Sequence, residues 1–406
     1  MKRCCCIVSL LFVTACSAVL CGQKTSAGAA RVYLMDAEKL AKIKVGVQAK
    51  DKTYDAAIAA IERDAKKALA GGTFSVTTKE IGPPSGDKHD YMSQAPYFWA
   101  DPAKKDGLPY IRKDGERNPE INKITDHKSM DQMVAAVDAL SLAYYLKGDE
   151  AYAAKAVQIL RAFFLDAATR MNPNLQYAQG IPGINTGRGI GLIETVGLTR
   201  VVDSIGLLEG SKALTAGDKK GLTDWFTRFL QWMQESKNGK DEAAAKNNHG
   251  TYYDVQAASY ALFVGKTDVA KSILETAKEK RIAKQVEPDG RMPLELERTK
   301  AWSYSVMNLR GLMQLGVLGE RVGVDLWSFE TKDGRSIRHA VEFLYPFAVG
   351  EKWKYQQIEG FQPEIFFTAM RMAAAHFSDE KFKTMLAKIP ALEPSAKDFV
   401  LYSVNN

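Results

Sequence analysis

Asn247-Asn248-His249-Gly250-Thr251-Tyr252-Tyr253, followed further along by Arg298 and Tyr304, brings two carboxamides, an imidazole, a guanidinium and phenols into one part of the chain. Groups of these types can offset the charge of a carboxylate, remove a carbon-bound proton and return a proton to a leaving oxygen. That is the chemistry of β-elimination from a uronic acid sugar. Each residue also has a plainer reading. Asn before a helix is a common cap, Tyr304 beside Trp302 suits a helical core, and Arg298 within a charged run suits a surface ion pair. Arg298 precedes Tyr304 by six residues, which on one continuous helix would set them on different faces, so their meeting requires a bend or loop between them.

Around this stretch the chain is mostly helical in period. Residues 54–69 carry Ile58, Ile61 and Ala65 at helical spacing before Gly71-Gly72, and 74–78 alternate as a short strand or extended segment would. From residue 128 the period is strong. Met130, Met133, Val134, Val137 and Leu140 form one apolar stripe, Gly148 ends it, Asp149 is placed to cap the next helix, and Tyr152, Ala156, Ile159, Leu160 and Phe163 form a second. Comparable helices are predicted over 189–208, 222–235, 252–263, 269–282, 302–318, 337–348 and 363–377, with a turn at Ala216-Gly217-Asp218. Consecutive antiparallel hairpins in this number predict an all-α protein, an α/α toroid or incomplete barrel. An α-solenoid is the alternative, but no fixed repeat period is present.

Three breaks interrupt the pattern, at 171–189, 237–248 and 287–293, and in a toroid such loops gather at one end of the ring. Residues 81–122 differ from all the rest, being rich in Pro, Gly, Asp and aromatics without helical period. So long an irregular segment is functional or disordered, and Tyr91, Tyr97, Phe98 and Trp99 argue against disorder. Flat aromatic faces beside polar groups suit pyranose rings, although the same residues would also serve to pin a long loop to the core. Tyr252, Tyr253 and Arg188 are further candidates for sugar contacts. His127, His339 and His376 lack ligand-like spacing, and His89 is undecided. Glu287, Asp289, Glu295 and Glu297 lie close together yet match neither a calcium loop nor a zinc pattern, so no catalytic metal and no cofactor are expected.

Met1-Lys2-Arg3 and the apolar run at 7–13 read as an export signal too short to span a bilayer. Val13-Thr14-Ala15-Cys16 looks like a bacterial lipobox that would leave Cys16 lipidated; ordinary cleavage near residues 27–30 is the competing reading. The expected division is a leader over 1–22 and one domain over 30–406, exported to the periplasm or held at the outer membrane. All five cysteines fall in the leader region, so the rest of the chain has neither disulfide nor thiolate metal site. Of 406 residues, 46% are hydrophobic and 25% charged, which excludes a disordered chain or a membrane bundle. The net charge of +7 falls by two with the leader. A modest positive excess fits an anionic polymer partner, whereas nucleic acid is not expected without a dense basic run.

Gly86-Asp87-Lys88-His89-Asp90-Tyr91-Met92-Ser93-Gln94-Ala95-Pro96-Tyr97, Asn247-Asn248-His249, and Asp289-Gly290-Arg291-Met292-Pro293-Leu294-Glu295 leading to Arg298 and Tyr304 together resemble the alginate-lyase domain family of polysaccharide lyases, over residues 83–344. The resemblance implies an α/α toroid that cleaves β-1,4-linked uronans without water, alginate first and glucuronan as the alternative. It implies that Asn248 and His249, with Asn247, neutralise the carboxylate and move protons, that Arg298 supplies a cation, and that Tyr304 is base, acid or both. When the C5 hydrogen and O4 share a face, Tyr304 serves as base and then acid; when they lie on opposite faces, His249 abstracts and Tyr304 protonates O4. The Arg298 to Tyr304 interval is one residue shorter than in the better-known members, pointing to a sister branch. An inverting glycoside hydrolase and a non-catalytic surface glycan-binding lipoprotein are the rival functions.

Overall fold

A computed structural model describes residues 30–394 and 397–402; the expected leader, with Cys16 and the other four cysteines, lies outside the described residues. The helices, in chain order, are α1 (Ala37–Gln48), α2 (Asp55–Ala70), α3 (Asp126–Lys147), α4 (Glu150–Phe164), α5 (Leu198–Leu207), α6 (Ala216–Glu235), α7 (Lys237–Ala243) and α8 (Asn248–Phe263). They continue as α9 (Thr267–Ala277), α10 (Ala283–Gln285), α11 (Pro293–Leu296), α12 (Ala301–Glu320), α13 (Ile337–Ala348), α14 (Phe367–His376), α15 (Glu380–Leu386) and α16 (Lys397–Tyr402). One turn of π-helix, Lys278–Ile282, joins α9 to α10.

The ring is a succession of contacts: α3 packs on α5, α5 on α8, α8 on α12, α12 on α14, α14 on α16, α16 on α2, and α2 again on α3. This is an α/α toroid. Helices α3, α8 and α12 are buried on almost every face, as expected of helices enclosed by a second layer. The outer partners α4, α6, α9 and α13 complete the hairpins. An aromatic cluster of Phe163, Phe164, Trp225, Phe226, Phe229, Tyr260 and Phe263 fills the space between layers, its rings meeting edge to face or tilted.

Local signals act as the sequence leads one to expect at the α3–α4 hairpin: Gly148 adopts φ 77° at the end of α3, and the Asp149 side chain accepts from Ala151 N. Other expectations are corrected. Ala216-Gly217-Asp218 is not a turn but the first turn of α6, because Thr215 and Asp218 close a reciprocal capping box. The break at 237–248 contains α7, opened by the Ser236 side chain accepting from Gly239 N. Residues 74–78 form no strand, and the stretch over 189–208 is a 3-10 turn, Gly189–Thr195, followed by the shorter α5.

The long irregular segment is ordered by small pieces of sheet and a buried ion pair. Strand β1 (Met92–Gln94) pairs in parallel with β4 (Tyr177–Gly180), and β2 (Phe98–Trp99) pairs antiparallel with β3 (Ile111–Arg112). Lys79 Nζ donates to Asp126 Oδ2 at 2.7 Å and to the carbonyls of Val76 and Lys88, while Asp126 also accepts from Met92 N. Neither charged side chain of this pair touches solvent. The segment is thereby fixed against the start of α3.

Candidate active site

Each candidate side chain is set by the element it starts or follows. Asn247 occupies the N-cap position of α8, yet its carboxamide makes no capping bond. The cap is supplied across space instead: buried Glu295, in α11, accepts from Asn248 N at 2.6 Å and from Asn248 Nδ2 at 2.7 Å. A carboxylate at that helix end meets the exposed N–H groups and the positive end of the helix dipole. Burial nevertheless raises the Glu295 pKa, with the Asn248 hydrogen bonds pulling the other way. Gln285 Nε2 holds the Asn247 carbonyl at 3.3 Å. Buried Arg281 ties the α7–α8 joint, bonding Asp254 and the carbonyls of Ala243 and Ala245. Glycine is required at position 250, where a Cβ would run into the Ala245 carbonyl and the Arg281 guanidinium.

His249 Nδ1 lies 2.7 Å from Oε1 of Glu242, which is buried in α7. With Nδ1–H donated to that carboxylate, Nε2 is the ring nitrogen left for chemistry. Tyr304 stands in the first turn of α12 and Arg298 precedes that helix, so the required bend exists: the Arg298 guanidinium lies over the Tyr304 ring, 3.9 Å from its centroid. Arg298 is not an uncompensated cation. Asp114 grips it through both oxygens, at 2.8 Å to Nη2 and 3.1 Å to Nε, and also meets Arg112 at 2.7 Å. Tyr304 hydroxyl donates to Tyr97 hydroxyl at 2.8 Å. Burial, then the Tyr97 contact, raise the Tyr304 pKa well above its ordinary value, and the opposing pull of Arg298 does not reverse this.

A cavity of about 880 Å³ takes in Tyr97, Arg188, Asn247, Asn248, His249, Arg298 and Tyr304 together. Arg112, Arg117 and Lys128 add positive charge to its lining, against Asp131 and Glu194. Four sequence candidates stand outside it. Tyr91 is fully buried and donates to Glu194 at 2.7 Å, so it props a lining residue. Trp99 donates to the Glu116 carbonyl and carries Lys113 over its ring. Tyr252 and Tyr253 are core residues of α8 whose hydroxyls reach the carbonyls of Met307 and Met233. Alternation along a loop or helix cannot show which aromatic faces inward, and here packing took Tyr91, Tyr252 and Tyr253 while Trp99 stays half-exposed outside the cavity. His127, given no role by its spacing, lines the cavity.

Sequence reasoning missed Glu242, Asp114, Gln94, Gln179 and Glu194, and gave Glu295 no role. Glu242 precedes His249 by two helical turns in a stretch read as a break, so recognising α7 would have found it. Asp114 and Gln179 reach the site only through tertiary contacts. Among the described residues no cluster of metal-binding side chains is present.

A family model described as alginate lyase matches residues 75–353. The crystal structure of an alginate lyase from Bacteroides ovatus superposes with a TM-score of 0.89 and 42% sequence identity, covering 93% of this chain and 100% of that one. Alginate lyase A1-III from Sphingomonas species A1 superposes with a TM-score of 0.53 at 14% identity, over 85% of this chain and 95% of that one. A variant of that enzyme, complexed with a tetrasaccharide, gives 0.58 at 14% identity over 93% and 98%. At such identity the likeness is one of fold. No curated protein matches the chain.

Proposed function

The chain belongs to the alginate lyase family and is a polysaccharide lyase; from the groups gathered in its cavity we propose that it cleaves alginate, or a closely related 1,4-linked uronan, by β-elimination. The observation that carries this reading is the meeting of Asn247, Asn248 and His249 with Arg298 and Tyr304 around one positively lined cavity.

The proton on C5 of a uronate is acidified only when the adjacent carboxylate is offset by donors already in place. Asn247 has an uncommitted carboxamide, and Asn248 keeps one Nδ2 hydrogen beyond the one held by Glu295. His249, held by Glu242 through Nδ1, offers the Nε2 lone pair to the C5 proton. Tyr304 is a neutral phenol in the free enzyme, which suits the acid. The C5–H bond breaks with the proton going to His249, C4=C5 forms, the C4–O4 bond breaks, and O4 takes the Tyr304 proton. No water is consumed. The raised Tyr304 pKa favours this division of labour over one in which tyrosinate is the base, and hence substrates whose C5 hydrogen and O4 leave from opposite faces.

Purified protein incubated with polymannuronate, polyguluronate and glucuronan tests the reading through the ultraviolet absorbance of the unsaturated uronate product. Tyr304→Phe should lose about 10²–10⁴-fold in turnover. His249→Ala should abolish cleavage of polyguluronate. Product chains without ultraviolet absorbance would mean hydrolysis and sink the proposal.

A further inference from the structure

Arg188 is distinguished from Arg298, the other half-buried guanidinium in the cavity, by forming no ion pair. Arg298 and Arg112 share Asp114, whereas among the described residues no carboxylate pairs with Arg188. Its Nη2 donates to Gln179 Oε1 at 2.8 Å, and its charged end lies 5.1 Å from the centroid of the Phe98 ring. Its Nε is buried with no partner. Gln94 Nε2 is a second buried donor without a partner, and it lines the same cavity. The backbone brings these residues together: Gln94 in β1 pairs with Gly180 in β4, next to Gln179. Gln179 itself is held at φ 50°, a left-handed conformation that disfavours side chains and persists where surrounding structure demands it.

Buried donors without partners are costly, and a neutral hydroxyl could accept from both but would leave the guanidinium charge uncompensated. A carboxylate has lone pairs for both and the charge that Arg188 lacks. Glu194 and Glu242 pull on the Arg188 charge from a distance but neither forms an ion pair with it: Glu194 Oε2 accepts from the hydroxyls of Tyr91 and Ser93, and Glu242 Oε1 meets His249. The reacting sugar's carboxylate has its own donors on α8, and about 880 Å³ is near the upper end for a ligand pocket, with room for more than one sugar. We infer that Arg188 and Gln94, with Gln179 as the positioning residue for Arg188, form a second carboxylate-binding subsite that takes the acid group of a sugar beside the one cleaved. The inference rests on the lyase reading above. Its consequence is specificity: a uronate flanked by uronates is preferred over one flanked by neutral sugars.

The test compares alginate with partially carboxyl-reduced alginate for wild type, Arg188→Ala, Arg188→Lys and Gln94→Ala, and measures tetrauronate binding by calorimetry in Tyr304→Phe and Tyr304→Phe/Arg188→Ala. Losing a charge-assisted bond should weaken tetrauronate binding about 10- to 100-fold, raise KM more than it lowers kcat, and shrink the preference for unreduced polymer, with partial recovery in Arg188→Lys. Gln94→Ala should shift the same ratio in the same direction, which keeps the test open if Arg188→Ala folds poorly. Unchanged affinity and unchanged preference would overturn the subsite. A fall in kcat with KM unchanged would place Arg188 on the reacting carboxylate and overturn its assignment to a neighbour. No unsaturated product from wild type, with no tetrauronate binding to Tyr304→Phe, would remove the lyase reading and this inference with it; product formation with unaffected Arg188 and Gln94 variants removes the inference alone.

Discussion

At the scale of single residues, the site separates groups by what already holds them. Arg298 spends its charge on Asp114 and lays its face on Tyr304, so it orients the phenol more than it ionises it. Burial and Tyr97 keep Tyr304 protonated above the ordinary tyrosine value of about 10. A raised pKa leaves the acid form intact through neutral and mildly alkaline pH, and the proton is lost only as pH rises past that ordinary value. Ultraviolet difference titration of wild type against Tyr304→Phe should therefore show no tyrosinate signal from Tyr304 below about pH 10. A signal near neutrality would make it a base and contradict the assignment. None of this ordering was legible in the sequence, where Arg298 and Tyr304 are only six positions apart and Asp114 is distant.

At the scale of elements, the cavity wall depends on keeping residues 81–122 in place, and the Lys79–Asp126 pair does this from the start of α3. Burial pushes Lys79 down and Asp126 up to about 6, while each charge pulls the other back. Removing one partner leaves the other buried and uncompensated. Lys79→Met should cost about 3–5 kcal/mol, read from denaturant unfolding. A change under about 1 kcal/mol would show that the pair is dispensable. The helices around it were readable from apolar period, and Gly148 and Asp149 from their types. The α7 helix was not, because Lys237-Asn238-Gly239-Lys240-Asp241-Glu242 has no apolar stripe and is stabilised by its cap and by packing on α6 and α8.

At the scale of the whole molecule, the toroid brings Arg112, Arg117 and Lys128 from the long segment and α3 to face the start of α8 across one cavity. These three are exposed, so their attraction for a polyanion is screened by salt. KM for alginate should rise steadily as ionic strength goes from about 0.05 to 0.5 M, with kcat changing less. Steady-state kinetics at constant pH would check it, and a flat KM would show that these charges do not guide the polymer.

The sequence by itself determined the helical toroid, through apolar period and hairpin punctuation, and it singled out Asn248, His249, Arg298 and Tyr304 as candidates, through motifs that each span only a few residues. Tertiary structure alone decided that Glu295 caps α8 in place of Asn247, that Glu242 fixes His249, and that Tyr91, Tyr252 and Tyr253 turn inward to the core while Trp99 packs outside the cavity. The reason is physical: period and capping are properties of neighbours along the chain, whereas a buried carboxylate chooses its partner by whichever donor the folded ring brings within hydrogen-bonding distance.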